Sequence, residues 1–303
     1  MNEAAMQQAI VSQHRARLAG FPAQPVPAGH SMGPPVHRAA LAACSALGFI
    51  APDALVLASA WQAQTDRLGH FDAARWPNAP QDFGLQPRPQ PHAFAPCPKA
   101  LGLYAVVPDA AWVARMAGAG VPTVQLRCKH ADAALIGAEV QAAVAAVAGS
   151  ATRLFINDHW QAAIAAGAYG VHLGQEDLQQ LQPAQLATLR ASGLRLGVST
   201  HGYAEMLAAD RLGPSYIALG AVFPTTLKSM PTAPQGLARL ADYARLMCAY
   251  PLVAIGGIGA EQLPAVRACG VGSVAVVRAI VQAADPRAAA QQLMALMQTP
   301  RVQ

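Results

Sequence analysis

The chain has 303 residues, 53% of them hydrophobic, which is enough for one large domain or two of modest size with a sizeable core. Its apolar content is dominated by alanine, and no uninterrupted apolar run approaches the roughly 20 residues that span a bilayer, so no membrane partner is expected. The formal charge of +5 is spread over dispersed lysines and arginines without a basic run interleaved with aromatics. That argues against a nucleic-acid partner and fits a few cations gathered around a phosphorylated small molecule.

The N-terminal MNEAAMQQAIVSQHRARLAG has an early acidic residue and no apolar core after a basic start, so it lacks the form of a secretion signal and a cytoplasmic location is expected. Five cysteines, Cys44, Cys97, Cys128, Cys248 and Cys269, are odd in number and have no C-x-x-C spacing. Neither a disulfide framework nor a zinc site follows, and reduced thiols are expected.

Helical spacing of apolar residues predicts helices in HRAALAACSALGF and PDALVLASAWQAQTDRLG, the second opening on Pro52-Asp53 as a start signal. Prolines crowd the first hundred residues, and PNAPQDFGLQPRPQPHAFAPCPKA reads as an extended, partly polyproline linker rather than a packed element. The chain is thereby divided into a helical extension over 1–76, a linker over 77–100 and a larger domain over 101–303.

From residue 101 onward, short β-prone runs alternate with alanine-rich helical stretches, the pattern of repeated βα units with parallel strands. Eight such runs follow one another: LGLYAVVP, VPTVQLRCK, RLFINDH, YGVHLG, LRLGVST, YIALGAVF, LVAIGGI and SVAVVRA. An α/β fold of the (β/α)8 TIM-barrel type, with a small helical N-terminal extension, accommodates eight parallel strands in a chain of this length. A doubly wound open sheet is the alternative, because strand order cannot be read from one sequence.

Barrels gather their chemistry where the strand C-termini converge. The residues at those ends are Gln125, Arg127 and Lys129; Asn157 and Asp158; Glu176 and Asp177; Ser199 and His201; Thr225, Thr226 and Lys228; Gly256 and Gly257; and Arg278. Cations and glycine amides suit phosphate oxygens, whereas carboxylates facing phosphates make sense mainly with a hard cation between them. Asp158 and Asp177 end adjacent strands and could together hold Mg2+ with waters and a substrate phosphate; taken singly, each reads as a cap or turn residue. Glu176 is expected to point into solvent.

Alternation along VQLRCK places Gln125, Arg127 and Lys129 on one face and Leu126, Cys128 and His130 on the other. Three long polar side chains facing a barrel interior are costly unless they bind something or pair, a solvated edge strand being the alternative. IGGIG offers amide donors after the seventh strand, where barrels commonly place a phosphate site. His172 reads as a packed core histidine. Ser199 has no evident histidine and aspartate partners, so no acyl enzyme is expected.

Taken in order, QLRCK, IND, GQED, GVSTH, FPTTLK followed by APQGL, VAIGGI and AVVRAI resemble the motifs of thiamine-phosphate synthases over residues 101 to about 295. The resemblance implies a barrel enzyme that joins 4-amino-2-methyl-5-hydroxymethylpyrimidine diphosphate to 4-methyl-5-(2-phosphoethyl)thiazole, or its carboxylated form, giving thiamine phosphate and pyrophosphate. The family's reaction is a Mg2+-assisted dissociative substitution without a protein nucleophile. Carried over by position, Gln125, Leu126, Arg127, Cys128, Lys129 and Asn157 match pyrimidine diphosphate contacts, with Ser199 and Lys228 as further diphosphate contacts. Asp158 and Asp177 match metal ligands, while Thr225, Thr226, Leu227, Gly257, Val277 and Arg278 fall where the family holds the thiazole phosphate. Catalytic charge neutralisation falls to Arg127, Lys129 and Lys228.

Three positions depart from the family pattern: Cys128 for a frequent glutamate, Leu227 for a frequent threonine, and Arg278 for a common serine. A thiazole tautomerase-like protein and a noncatalytic thiamine-phosphate binder are the competing readings, and the chain is compatible with a homo-oligomer. Upstream, GHSMGPPVHRAALAACSALGFIAPDALVLASAWQAQ resembles the C-terminal part of hydroxymethylpyrimidine phosphate kinases. Ser31-Met32-Gly33 replaces that family's glycine-rich turn with its cysteine, and the segment is too short for a kinase. It reads as a helical remnant of a former fusion.

Overall fold

The computed structural model describes residues 1–27, 33–225 and 232–299. The chain divides into two compact units, the first made of residues 1–90, 202–211 and 245–247, the second of 91–201, 212–244 and 248–303.

In the first unit lie α1 (Glu3–His14), α2 (Pro35–Ala46) and α3 (Ala51–Leu68). Asn2 caps α1 by accepting the Ala5 N–H at 2.9 Å, and α3 starts at Ala51 with Pro52 and Asp53 in its first turn and stops at Gly69 in the left-handed region. Trp76 is the centre of the unit's packing, with His14, Phe49 and Trp61 ring centroids 4.9, 5.7 and 6.2 Å away. Part of the proline-rich segment is packed rather than extended. Pro80–Phe83 forms a 3-10 turn, Asp82 receives two hydrogen bonds from Arg67 at 2.7 and 2.6 Å, and the Phe83 ring stacks on Tyr203 at 5.6 Å. An aromatic side chain and a paired carboxylate within the run give it something to bury, which a polyproline reading overlooks.

Among the described residues of the second unit, eight parallel strands close into a barrel in sequence order. They are β1 (Gly102–Val107), β2 (Thr123–Leu126), β3 (Arg153–Asn157), β4 (Gly170–Leu173), β5 (Arg195–Thr200), β6 (Tyr216–Leu219), β7 (Leu252–Ile255) and β8 (Ser273–Val276). Between and after them run α4 (Ala110–Gly118), α5 (Ala133–Val147), α6 (Trp160–Ala166), α7 (Gln175–Gln180), α8 (Pro183–Ala191), α9 (Tyr203–Leu212), α10 (Gly236–Leu246), α11 (Leu263–Ala268), α12 (Arg278–Val281) and α13 (Pro286–Gln298). β1 pairs with β8, which excludes the open-sheet alternative.

Although it follows β5, helix α9 belongs largely to the first unit. Its Ala204 N–H donates to Asp53 Oδ1 at 2.9 Å, and Tyr203 Oη accepts from Trp76 Nε1 at 3.0 Å. Asp53 thus supplies from a distant part of the sequence the acceptor that a helix N-terminus needs.

The barrel interior is built on Tyr104, Phe155 and Tyr216, with ring centroids 5.1–5.9 Å apart. Leu101, Val106, Ala218, Val253 and Ala275 join them in one buried cluster. Space for the Tyr216 ring comes from β5, where a Cβ on Gly197 would overlap three of its atoms, Cζ, Cε1 and Oη. No described helix is long and apolar enough to cross a membrane.

Candidate active site

A cavity of about 610 Å³ opens at the C-terminal ends of the strands, the rim on which the fold places its chemistry. Gln125, Arg127, Asn157, Asp158, Asp177, Ser199, Thr225, Gly257, Val277 and Arg278 all line it. Gln125 is 5% exposed, which makes its amide one of the few buried polar groups of the barrel.

Residues 126, 128 and 129 are placed differently. Strand β2 ends at Leu126, so the strict alternation read through VQLRCK stops there. Leu126 and Cys128 are buried and Lys129 is exposed, and none of the three lines the cavity. Burial raises the Cys128 thiol pKa, consistent with its being turned from the rim. Thr226, Leu227 and Lys228 lie outside the described residues, as do Ser31 and Met32.

The end of β3 is shaped by an unusual backbone. Asp158 donates its N–H to His172 O of β4 at 3.0 Å, extending the ladder by one residue, and then takes a φ of 63°. It is the non-glycine residue with positive φ among those described. Such a conformation costs of order 1 kcal/mol and concentrates at functional sites, with aspartate among the residues that tolerate it best. The Asn157 amide donates to Asp158 Oδ2, fixing the carboxylate at the cavity wall.

At the end of β4, Asp177 reaches back to accept the Gly174 N–H at 3.1 Å, closing the start of α7. Gln175 Nε2 donates to Ser199 O at 2.6 Å, tying that start to β5. Glu176 is exposed, yet it stands on the cavity rim rather than away from it. Among the described residues, no three His, Cys, Asp or Glu side chains gather as a metal-ligand group. Mg2+ requires no such group, because it takes one or two carboxylates with waters and substrate phosphate. Asp158 and Asp177, on one cavity and each oriented by a local N–H, fit that requirement.

Across the cavity, the chain after β7 turns through Gly256 and Gly257, with φ of 106° and 66°. A Cβ on Gly257 would lie 2.6 Å from Pro224 O and 2.7 Å from Phe223 Cβ, so only glycine permits this close approach. Beside it, Val277 and Arg278 open α12.

Sequence reasoning missed a line of polar groups beneath these residues. His172 is buried, as expected, but its ring points into the barrel, with Nδ1 2.7 Å from Tyr216 Oη and Nε2 2.8 Å from Ser199 Oγ. The phase of β4 is the reason: in a barrel jacketed by helices the outer strand face is apolar too, so Val171 and Leu173 do not mark the interior. Ser199 therefore has a histidine partner, but the second imidazole nitrogen meets a phenol where a Ser-His-Asp triad has a carboxylate.

A closed (β/α)8 barrel whose C-terminal rim gathers arginines, carboxylates and a glycine pair around one cavity has the architecture of a TIM-barrel enzyme. The thiamine monophosphate synthase family matches residues 103–280, more than half of the chain, and the chain belongs to that family. It is 54% identical over 203 residues to the thiamine-phosphate synthase of Neisseria meningitidis serogroup A, covering 67% of this chain and 98% of that protein. Similarity to the thiamine-phosphate synthase of Escherichia coli O6:H1 is 55% over 201 residues, covering 66% and 94%. Among solved structures, thiamine phosphate pyrophosphorylase from Pyrococcus furiosus superposes with a TM-score of 0.57 at 28% identity, covering 65% of this chain and 95% of that one. The family match begins at residue 103, leaving the three N-terminal helices outside it.

Proposed function

We propose that the chain condenses 4-amino-2-methyl-5-hydroxymethylpyrimidine diphosphate with 4-methyl-5-(2-phosphoethyl)thiazole, or its carboxylated form, releasing pyrophosphate and thiamine phosphate in the cytoplasm. The observation that carries this reading is the shared wall of one cavity: Arg127, Asn157, Asp158, Asp177 and Ser199 on one side, Gly257, Val277 and Arg278 on the other. Two anionic groups on two substrates ask for two such sides.

Arg127 and the hydroxyl of Ser199 meet the diphosphate; Lys129 and Lys228, which follow β2 and β6 in sequence, are the further cations that the resemblance assigns to it. Asp158 and Asp177 would hold Mg2+, which when bound neutralises the departing pyrophosphate. Gln125 and Asn157 orient the pyrimidine, so that departure of the diphosphate leaves the methylene carbon facing the thiazole nitrogen. Backbone amides at Gly257, Val277 and Arg278 take the thiazole phosphate with the Thr225 hydroxyl, and the resemblance assigns Thr226 and Leu227 to the same substrate. Catalysis then consists of positioning and charge stabilisation, with no side chain bonded to carbon.

The test is a coupled assay for pyrophosphate release from the two substrates, with and without Mg2+. Asp177→Ala is expected to lower turnover by two or more orders of magnitude, with the circular dichroism spectrum unchanged. Full activity in that variant would remove the metal assignment, and absence of pyrophosphate release by the native protein would remove the whole reading.

A further inference from the structure

An amide, two phenols, an imidazole and a hydroxyl cross the barrel in an unbroken line. Gln125 Nε2 donates to Tyr104 Oη at 3.0 Å, and Tyr104 Oη lies 2.8 Å from Tyr216 Oη. From there the line continues to His172 Nδ1 at 2.7 Å and from His172 Nε2 to Ser199 Oγ at 2.8 Å. The five residues stand on β2, β1, β6, β4 and β5, and both ends line the cavity. Both tyrosines are fully buried, and burial raises each phenol pKa well above its ordinary value, so each keeps its single proton at neutral pH.

A neutral phenol donates once, and a neutral imidazole donates at one nitrogen and accepts at the other. The line therefore has two self-consistent settings. In the first, every proton points from Gln125 toward Ser199: Tyr104 donates to Tyr216, Tyr216 to Nδ1, and Nε2–H to Ser199. The Ser199 proton is then left for an acceptor in the cavity, and the Gln125 carbonyl for a donor. In the second, every proton points back. Ser199 donates to Nε2, Nδ1–H to Tyr216, Tyr216 to Tyr104, and Tyr104 to a Gln125 amide turned over to accept. A mixed setting puts two protons or two lone pairs between neighbouring buried atoms, a mismatch that buried polar groups avoid.

We propose that Tyr104, Tyr216 and His172 are positioning residues that couple the Gln125 amide to the Ser199 hydroxyl, so that an anion at Ser199 fixes which way the amide faces. This rests on the reading above in that Gln125 and Ser199 meet the same ligand. An anion accepts the Ser199 proton and selects the first setting. The Gln125 carbonyl is then presented to the ligand's other end, favouring an exocyclic amine there over a carbonyl.

The test is the tautomer of His172 in the full-length protein with 15N-labelled histidine, read at pH 8 with inorganic pyrophosphate and Mg2+ as the probe. The native protein is expected to carry the proton on Nε2. Gln125→Glu ends the line in a group that only accepts, so it should reverse every bond and move the proton to Nδ1. Adding Tyr216→Phe to Gln125→Glu should restore Nε2–H, because the break stops transmission; Tyr216→Leu provides the same break if the first double variant does not fold. The proposal is overturned if Gln125→Glu leaves the tautomer unchanged, if the broken line shows the same reversal, or if the native ring is doubly protonated. None of these outcomes depends on condensation activity, so a protein that releases no pyrophosphate from the two substrates would refute the proposed reaction and leave the relay to be judged by the tautomer alone.

Discussion

Replacing Gly197 by alanine isolates the packing of the barrel centre. Strand propensity alone predicts a gain, since glycine inside a regular element costs roughly 0.5–1 kcal/mol relative to alanine. The structure predicts the opposite sign, because the new methyl would overlap Cζ, Cε1 and Oη of Tyr216, a fully buried side chain. Overpacking of this kind costs about 1–3 kcal/mol. Displacing the ring also disturbs its hydroxyl, held 2.8 Å from Tyr104 and 2.7 Å from His172, each bond contributing about 1 kcal/mol. The sum is about 3–5 kcal/mol, which at roughly 2–4 °C per kcal/mol lowers the melting temperature by about 6–20 °C. Thermal unfolding followed by circular dichroism measures it, with Tyr216→Leu as the control background, where the same glycine change should cost under about 1 kcal/mol. A Gly197→Ala variant that melts within about 2 °C of the native protein would refute the reasoning.

The first unit offers a second test: Asp53→Ala removes the acceptor of the Ala204 N–H and should cost about 1 kcal/mol, while Asp53→Asn, which keeps an acceptor, should cost a few tenths. Equal losses in the two variants, measured by thermal unfolding, would show that capping is not what Asp53 contributes. Cysteine chemistry gives a third. Burial pushes the Cys97 thiol up to about 11, with Arg195 opposing the shift only in part. Since burial favours the neutral form, reactive thiolate at Cys97 appears only as the pH climbs toward that value. Iodoacetamide at pH 8 is therefore expected to modify the exposed Cys248 well before Cys97, and mass spectrometry showing equal rates would contradict the assignment.

The barrel was legible because each of its strands carries its own local signature, an apolar run ending in polar or glycine residues, and eight such runs limit the architectures available. Rim residues such as Asp158, Ser199 and Gly257 were readable for the same reason, as they sit at strand ends. Position within an element was harder. The alternation that puts Gln125 and Arg127 on the cavity fails for Lys129, because β2 stops at Leu126. Tyr104 and Tyr216 look like ordinary β-prone residues in sequence. Their meeting is a property of closure, which brings together hydroxyls 112 residues apart. The partnership of Asp53 with Ala204, 151 residues apart, is equally invisible to any local pattern. His172 shows the limit most clearly, since its burial follows from its neighbours while its role depends on a phenol from β6 and a hydroxyl from β5.

The grouping of α9 with the N-terminal helices bears on how the protein opens. Local unfolding proceeds in units of mutually supporting contacts rather than in units of sequence. Amide protons of α9 should therefore exchange with solvent in step with those of α2 and α3, and out of step with the strand β5 that precedes it. A fragment beginning near residue 91 would carry α9 without the carboxylate at its N-terminus and without the indole that binds Tyr203. For this chain, the place where the barrel begins in sequence is not the boundary of the compact units.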